Sequence, residues 1–220
     1  MPKLLHIEAS PRGERSFSSA AATALIEGFR ETHTDVIIDH LNLWETDLPR
    51  FAGGVAKADT YRLDESTIQT EAEAKLWADT RAVFDRFATA DAYVISTPMW
   101  NFGVPYLLKQ YFDVMAQPGL AFRYKEDGTS EGFVTSRPAV VIAARGGAYS
   151  GASPVASMDH QLPWLETMLQ FIGIEDVTSL PIEPTIGSAD VQAAKRQEAT
   201  RYARQLGAKL SVHQDVLQAH

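Results

Sequence analysis

Cysteine is absent from all 220 residues. That removes disulfides, thiolate metal sites, iron–sulfur clusters and cysteine nucleophiles at once, and it fits a reducing compartment. Long apolar runs are absent too. No window reaches the roughly 20 apolar residues of a membrane span. The apolar stretch inside "MPKLLHIEAS" is too short for the core of a secretory signal. A cytoplasmic protein without a membrane partner is expected. Basic residues are the minority charge, 20 against 28 acids, for a formal net charge of −8. Nucleic-acid binding needs a basic face, so no nucleic-acid partner is expected. A single phosphate held by a few backbone N–H groups remains open.

Histidine is sparse. The six (His6, His33, His40, His160, His213 and His220) show no H-E-x-x-H spacing, and no metal site is expected. Asp159–His160 is the one tempting local pair and reads as a solvated helix start. The acids are scattered, with no pair that can be placed. "GGAYSGAS" sets Ser150 among glycines without forming G-x-S-x-G, so a hydrolase elbow is unsupported.

What the chain does have is a hydrophobic fraction of 45% and a period that switches repeatedly between strand-like and helix-like. Strands are expected at 3–8, 35–42, 91–97, 138–145 and 177–184. Helices are expected at about 18–33, 65–89, 103–117, 157–172 and 188–211. Ile68, Ala72, Leu76, Val83, Phe84 and Phe87 form the apolar stripe of the second helix. Alternating strands and helices imply an α/β fold, a doubly wound parallel sheet covered on both faces. Five strands suit the order 2-1-3-4-5, in which ligands sit beyond the carboxyl ends of the strands. Two segments break the alternation. Residues 43–64 are long for a connection between strand and helix and read as functional or interfacial. Residues 119–138 carry "EDG" between apolar pairs and read as a hairpin. One domain is expected over 1–212, with a tail at 213–220.

The loop "ASPRGERSFSS" (9–19) joins the first strand to the first helix. Serine hydroxyls, Arg12, Arg15 and the unpaired N–H groups of the helix start make a phosphate cradle. Between Glu14 and Glu27 there is no acid, so no protein charge is expected to compete with a bound anion. Plain helix capping by Ser16 or Ser18 is the alternative. The loop has neither the glycine–lysine–serine ending of a P-loop nor the three glycines of a dinucleotide fingerprint. A single phosphate, as in a mononucleotide, suits it. Two more loops face the same crevice. "PMWNFGVP" (98–105) offers Met99, Trp100 and Phe102 as apolar faces, and Asn101 and the Gly103 backbone as hydrogen-bonding groups. "ARGGAYSG" (144–151) offers Gly146 and Gly147 for close backbone approach and Arg145 for charge on a reduced ring. Each has an ordinary alternative: core aromatics, a turn, an ion pair.

The segments "SPRGERSFS" (10–18), "PMWNFGVPYLLKQYFD" (98–113), "GLAFRY" (119–124), "GGAY" (146–149) and "FIGIEDV" (171–177) carry a resemblance. Over nearly its whole length the chain resembles the FMN-dependent NADH:quinone oxidoreductases, also called FMN-dependent azoreductases, which have a flavodoxin-like fold. The resemblance implies tightly bound, non-covalent FMN, with its phosphate on Ser10, Ser16, Phe17 and Ser18. It implies a flavin lying along Met99, Trp100, Asn101 and Phe102, with its pyrimidine end at Ala144, Arg145, Gly146 and Gly147. It also implies a homodimer, with Phe122 and Phe171 as aromatic walls above the flavin. Hydride would pass from NADH or NADPH to flavin N5 and then to a quinone or azo acceptor, in ping-pong turnover. Asn101, Arg145 and Tyr149 are the candidate catalytic residues. Trp100, Ala144 and Tyr149 depart from the family's commoner tyrosine, hydroxyl residue and histidine, which bears on substrate range. A flavodoxin-type electron carrier without small-molecule turnover is the alternative.

Overall fold

Each apolar run of six or seven residues becomes a strand with its side chains divided between two faces. In the computed structural model, residues 1–51 and 70–212 are described. Ile68, residues 52–64 of the long loop and the tail at 213–220 lie outside the described residues. In chain order the strands are β1 (Lys3–Glu8), β2 (Ile37–Asn42), β3 (Ala92–Pro98), β4 (Phe122–Tyr124), β5 (Ser130–Gly132), β6 (Ala139–Ala144) and β7 (Val177–Ile182). β4 and β5 are the expected hairpin, paired antiparallel. The other five form one parallel sheet in the order β2-β1-β3-β6-β7. Counting parallel strands alone, that is 2-1-3-4-5. Glu8 lies opposite Asn42 and Ser96, and Pro98 opposite Ala144. The loops after β1, β3 and β6 therefore leave from the same edge of the sheet.

Among the described residues five helices cover it: α1 (Phe17–Thr32), α2 (Glu71–Ala88), α3 (Tyr106–Met115), α4 (Leu162–Phe171) and α5 (Ala189–Gly207). Leu5, Ile7 and Ile95 join Phe87, Phe112 and Leu165 in a core beneath α2, α3 and α4. Leu4, Val94 and Ile142 face the other way, onto Leu25 and Phe29 of α1 and Ala203 of α5. Burying each such side chain contributes about 1.5–3 kcal/mol. The even positions of β1 point to α1, so His6 and Glu8 share that face with Leu4.

The fourth helix starts later than its apolar pattern implies. Residues Ala156–Met158 form a single 3-10 turn, and the backbone at Asp159 is extended. The Asp159 carboxylate accepts from the N–H groups of Gln161 and Leu162 at 2.9 and 3.2 Å. An aspartate that binds the backbone ahead of it favours a helix start over a helix interior, and Pro163 suits the first turn of α4. The solvated helix start read at Asp159 is half corrected: it is a start, but Asp159 also pairs with a buried arginine.

Gly28 of α1 and Gly207 of α5 let the two helices touch backbone to backbone. A Cβ at Gly28 would stand 2.0 Å from the Arg204 carbonyl oxygen, and one at Gly207 would stand 1.9 Å from that of Leu25. Backbone cannot step aside as a side chain can. Gly28→Ala is therefore expected to cost about 3 kcal/mol, on the order of 10 °C in melting temperature. A melt followed by circular dichroism checks this, and an unshifted curve would mean the helices are not in close contact.

Candidate functional site

At the serine loop, the Ser16 hydroxyl oxygen accepts from the Ser19 N–H at 3.1 Å and lies 3.2 Å from the Ser18 hydroxyl. Ser10 Oγ accepts from the Arg12 N–H at 3.4 Å. All three serines are buried. Ser16 is the N-cap of α1, so the capping expected of Ser16 or Ser18 falls on Ser16. One cap cannot satisfy every donor of a helix start. The N–H groups of Phe17 and Ser18 have no acceptor, and they sit at the positive end of the α1 dipole. Four hydrogen-bonding groups thus stand together with no acid in the first turn. The expectation that no protein charge reaches them is corrected. Glu8, at the end of β1, accepts from the Ser19 hydroxyl at 2.5 Å. No acid lies between Glu14 and Glu27, but the strand that leads into the loop ends on one.

The loop after β3 is a strained two-residue turn. Trp100 N–H donates to the Gly103 carbonyl at 3.0 Å, and Gly103 N–H donates to the Trp100 carbonyl at 2.9 Å. Between them Asn101 and Phe102 have φ of 47° and 69°. Asparagine tolerates this region, but a bulky phenylalanine does not do so without cost. The turn lifts Trp100, Asn101 and Phe102 into solvent and leaves the N–H groups of Asn101 and Phe102 without acceptors. The Phe102 carbonyl accepts from the His160 N–H at 2.9 Å, which anchors the tip to the segment before α4. The Gly103 N–H, expected as a ligand donor, is spent closing the turn, so the free donors are one and two residues earlier. Met99 is partly buried, and its N–H donates to the Ala144 carbonyl at 2.8 Å.

Arg145 departs most from expectation. It is 1% exposed. Its Nη1 lies 3.1 Å from Glu183 Oε2, its Nη2 2.8 Å from Asp159 Oδ2, and its Nε donates to Gln161 Oε1 at 3.2 Å. The guanidinium already faces two carboxylates and cannot also serve a charge on a ring; the ion-pair alternative holds. Glu183 in turn accepts from the N–H groups of Tyr149 and Ser150 at 3.0 and 2.8 Å, fixing the loop after β6. The space beside Gly146 and Gly147 is not bare backbone. A Cβ at Gly146 would meet Ile186 Cδ1 at 2.9 Å, and one at Gly147 the Tyr149 ring at 3.3 Å. Tyr149 is half-buried, with its ring 6.5 Å from that of Phe102. The loops after β3 and β6 do meet.

Phe122, expected as an aromatic wall above the flavin, is packed inside this chain. It is 5% exposed, in the core beneath the hairpin, with its ring 4.5 Å from Phe171. Short β4 turns Phe122 inward, and its neighbour Tyr124 is exposed. Phe171, at the end of α4, is partly buried against Phe122. Two residues not singled out from the sequence complete the rim. Trp44 lies 5.6 Å from the Trp100 ring and 5.7 Å from Tyr106, edge-on to the latter. Its indole N–H donates to the Ala9 carbonyl at 3.0 Å, tying the loop after β2 to the loop after β1. Its place in the long 43–64 segment was the available signal.

A helix start with free N–H donors and a strained aromatic turn, at the carboxyl edge of a 2-1-3-4-5 sheet, define a flavodoxin-like protein. A family profile described as a flavodoxin-like fold matches residues 2–206. The chain is 42% identical over 207 residues to the FMN-dependent NADH:quinone oxidoreductase of Nitratidesulfovibrio vulgaris, covering 94% of this chain and 98% of that one. It is 40% identical over 206 residues to FMN-dependent NADH:quinone oxidoreductase 1 of Bradyrhizobium diazoefficiens, at 94% and 98% coverage. Among solved structures, an azoreductase from Bacillus anthracis superposes with a TM-score of 0.85 at 26% identity, covering 96% of this chain and 100% of that one. An FMN-dependent NADH-azoreductase from the same species, in complex with FMN, superposes at 0.79 with 26% identity, covering 94% and 100%. The chain belongs to the family of FMN-dependent NADH:quinone oxidoreductases.

Proposed function

We propose that this chain is an FMN-dependent oxidoreductase that uses NADH or NADPH to reduce quinones and azo compounds. The observation that carries the reading is the pairing of free donors: Phe17 and Ser18 N–H beside buried serine hydroxyls, and Asn101 and Phe102 N–H on the strained turn. These suit a phosphate at one end and a polar ring edge at the other. Ser10, Ser16, Phe17 and Ser18 would hold the phosphate. Met99, Trp100, Asn101 and Phe102 would line the ring, and Ala144, Gly146 and Gly147 its pyrimidine end. Bound FMN supplies reversible two-electron chemistry, and the protein supplies binding, orientation and electrostatics.

The chain's own residues then do three things. The α1 start neutralises the phosphate. The free N–H groups of Asn101 and Phe102 fix the orientation of the ring edge. Trp44, Trp100 and Phe102 keep water from one side and offer a flat apolar slot, which donor and acceptor occupy in turn. No group in the loops need act as a nucleophile. Solvent or Tyr149, whose ring lies 6.5 Å from that of Phe102, would deliver the proton.

A homodimer accompanies this reading. Tyr106, Tyr124 and Phe133 are exposed, and exposed large aromatics are apolar area that a second copy would cover. A cytoplasmic setting is supported by the lack of cysteine. Among the described residues no helix is long and apolar enough to cross a membrane. The hairpin and exposed aromatics favour an enzyme over an electron carrier, which needs neither. The purified protein is expected to be yellow, with one FMN per chain. Anaerobic NADH should bleach it, and a benzoquinone should restore the colour with steady turnover. A colourless protein that takes up no added FMN would refute the proposal, and bleaching without turnover would leave only the carrier.

A further inference from the structure

A chain of contacts reaches the serine loop from the edge of the sheet. Glu8 is 9% exposed, and a carboxylate that far from water needs partners. One oxygen accepts from the Ser19 hydroxyl at 2.5 Å, and the other lies 2.8 Å from His40 Nε2 on β2. The His40 ring stacks on His6, centroids 4.9 Å apart, and His6 Nε2 lies 2.9 Å from the Ser96 hydroxyl on β3. Burial, helped by His40, pushes the pKa of His6 down to about 3, so it is a neutral spacer. On the other side, Ser19 N–H donates to Ser16 Oγ, which in turn touches the Ser18 hydroxyl.

Ser19 is the third residue of α1. In a capping box that position carries a Glu or Gln reaching back to the N-cap. Here it is a serine, and the carboxylate arrives from β1 instead. This has two consequences. The positive end of α1 gains the acid its own first turn lacks. The first turn itself keeps only hydroxyls and N–H groups, so an incoming phosphate meets donors and no neighbouring acid on the same turn.

We infer that Glu8 is a positioning residue for the phosphate cradle. By holding Ser19 it fixes the first turn of α1, and so the Ser16 and Ser18 hydroxyls and the Phe17 and Ser18 N–H groups, around one phosphate. This rests on the flavin mononucleotide reading above.

Riboflavin, which has the same ring and no phosphate, separates positioning from general damage. Both flavins are titrated into flavin-free full-length protein and followed by flavin fluorescence. Wild type is expected to bind FMN more tightly than riboflavin. Glu8→Ala is expected to lower FMN affinity roughly ten-fold, the scale of one lost hydrogen bond, and leave riboflavin affinity unchanged. Glu8→Gln keeps an acceptor for Ser19 and restores the discrimination. Ser19→Ala removes the same contact from the other side and matches Glu8→Ala, so it decides the matter if Glu8→Ala does not fold. Equal weakening of both flavins, or undiminished FMN affinity, overturns the inference. If wild type itself fails to discriminate the two flavins, the phosphate is not held at this loop, and the reading beneath the inference falls as well.

Discussion

Ser16→Asp is expected to weaken FMN binding by about 100-fold while leaving the melting temperature of the flavin-free protein unchanged. The substitution separates the two roles of the residue. As N-cap, Ser16 accepts from the Ser19 N–H, and aspartate caps a helix as well as serine does. Desolvation of the added carboxylate in this buried position is offset by the capping N–H and by the positive end of α1. The added carboxylate, however, stands among the hydroxyls and N–H groups that would hold the phosphate. Two unit charges about 4 Å apart repel by about 4 kcal/mol at an effective dielectric constant of roughly 20. The solvent-facing side of the loop lowers this to about 3 kcal/mol, which is about 100-fold. Riboflavin affinity should hold. Ser18 is the poorer place for the test, because it lies inside the first turn of α1, where an aspartate has no N-cap geometry to accept from the helix-start N–H groups. Fluorescence titration of both flavins is the measurement, and FMN affinity equal to wild type would move the phosphate to another loop.

The parts of the structure legible in the sequence are those set by local period. β1, β3 and β6 follow from short apolar runs and α1 from its stripe, because burying one face fixes the pattern over a few residues. The three loops of the crevice follow from strand order. What was not legible depends on residues distant in sequence or on backbone detail. Glu8 meets Ser19 and Arg145 meets Glu183 only after β1 and β7 take their places beside their neighbours. No local pattern announces that the two acids near Arg145 belong to it. In the turn after β3, glycine looked like the residue with special backbone, so Gly103 was expected to offer its N–H. In fact Asn101 and Phe102 take the left-handed conformation, and Gly103 closes the turn. Phe102 there breaks a local preference, and such violations gather where a ligand is held. The burial of Phe122 was not legible either, because it depends on Phe171 at the distant end of α4.

Arg145→Ala is the substitution from which the largest loss of stability is expected, about 3–5 kcal/mol, or roughly 10 °C or more in melting temperature. The arginine ties together the end of β6, the residue that starts α4 and the end of β7, through Asp159, Gln161 and Glu183. Removing it leaves two nearly buried carboxylates with no cation between them. Burial alone would raise the pKa of Glu183. Hydrogen bonds from Ser150 and Tyr149, with the charge of Arg145, outweigh burial and hold it below the ordinary 4.5. A group with a depressed folded pKa adds stability above its ordinary pKa, and that stability is lost as pH falls through the lower folded value. In wild type this contribution is therefore intact at neutral pH and fades only below about pH 4.5. Without Arg145, one of the causes that hold the pKa of Glu183 down is gone, so that carboxylate takes up its proton at a higher pH than in wild type, which relieves its unpaired charge. The gap between variant and wild type should be widest near pH 7.5 and narrow toward pH 5 in thermal melts. A gap of constant width would mean that Arg145 contributes packing rather than charge. The companion variant Arg145→Met with Asp159→Asn and Glu183→Gln removes all three charges together. It should recover most of the lost stability, since a neutral cluster of similar volume carries no unpaired ion. If it also binds FMN as wild type does, the guanidinium is shown to act by shaping the loop after β6, with no charge of its own needed beside the ring.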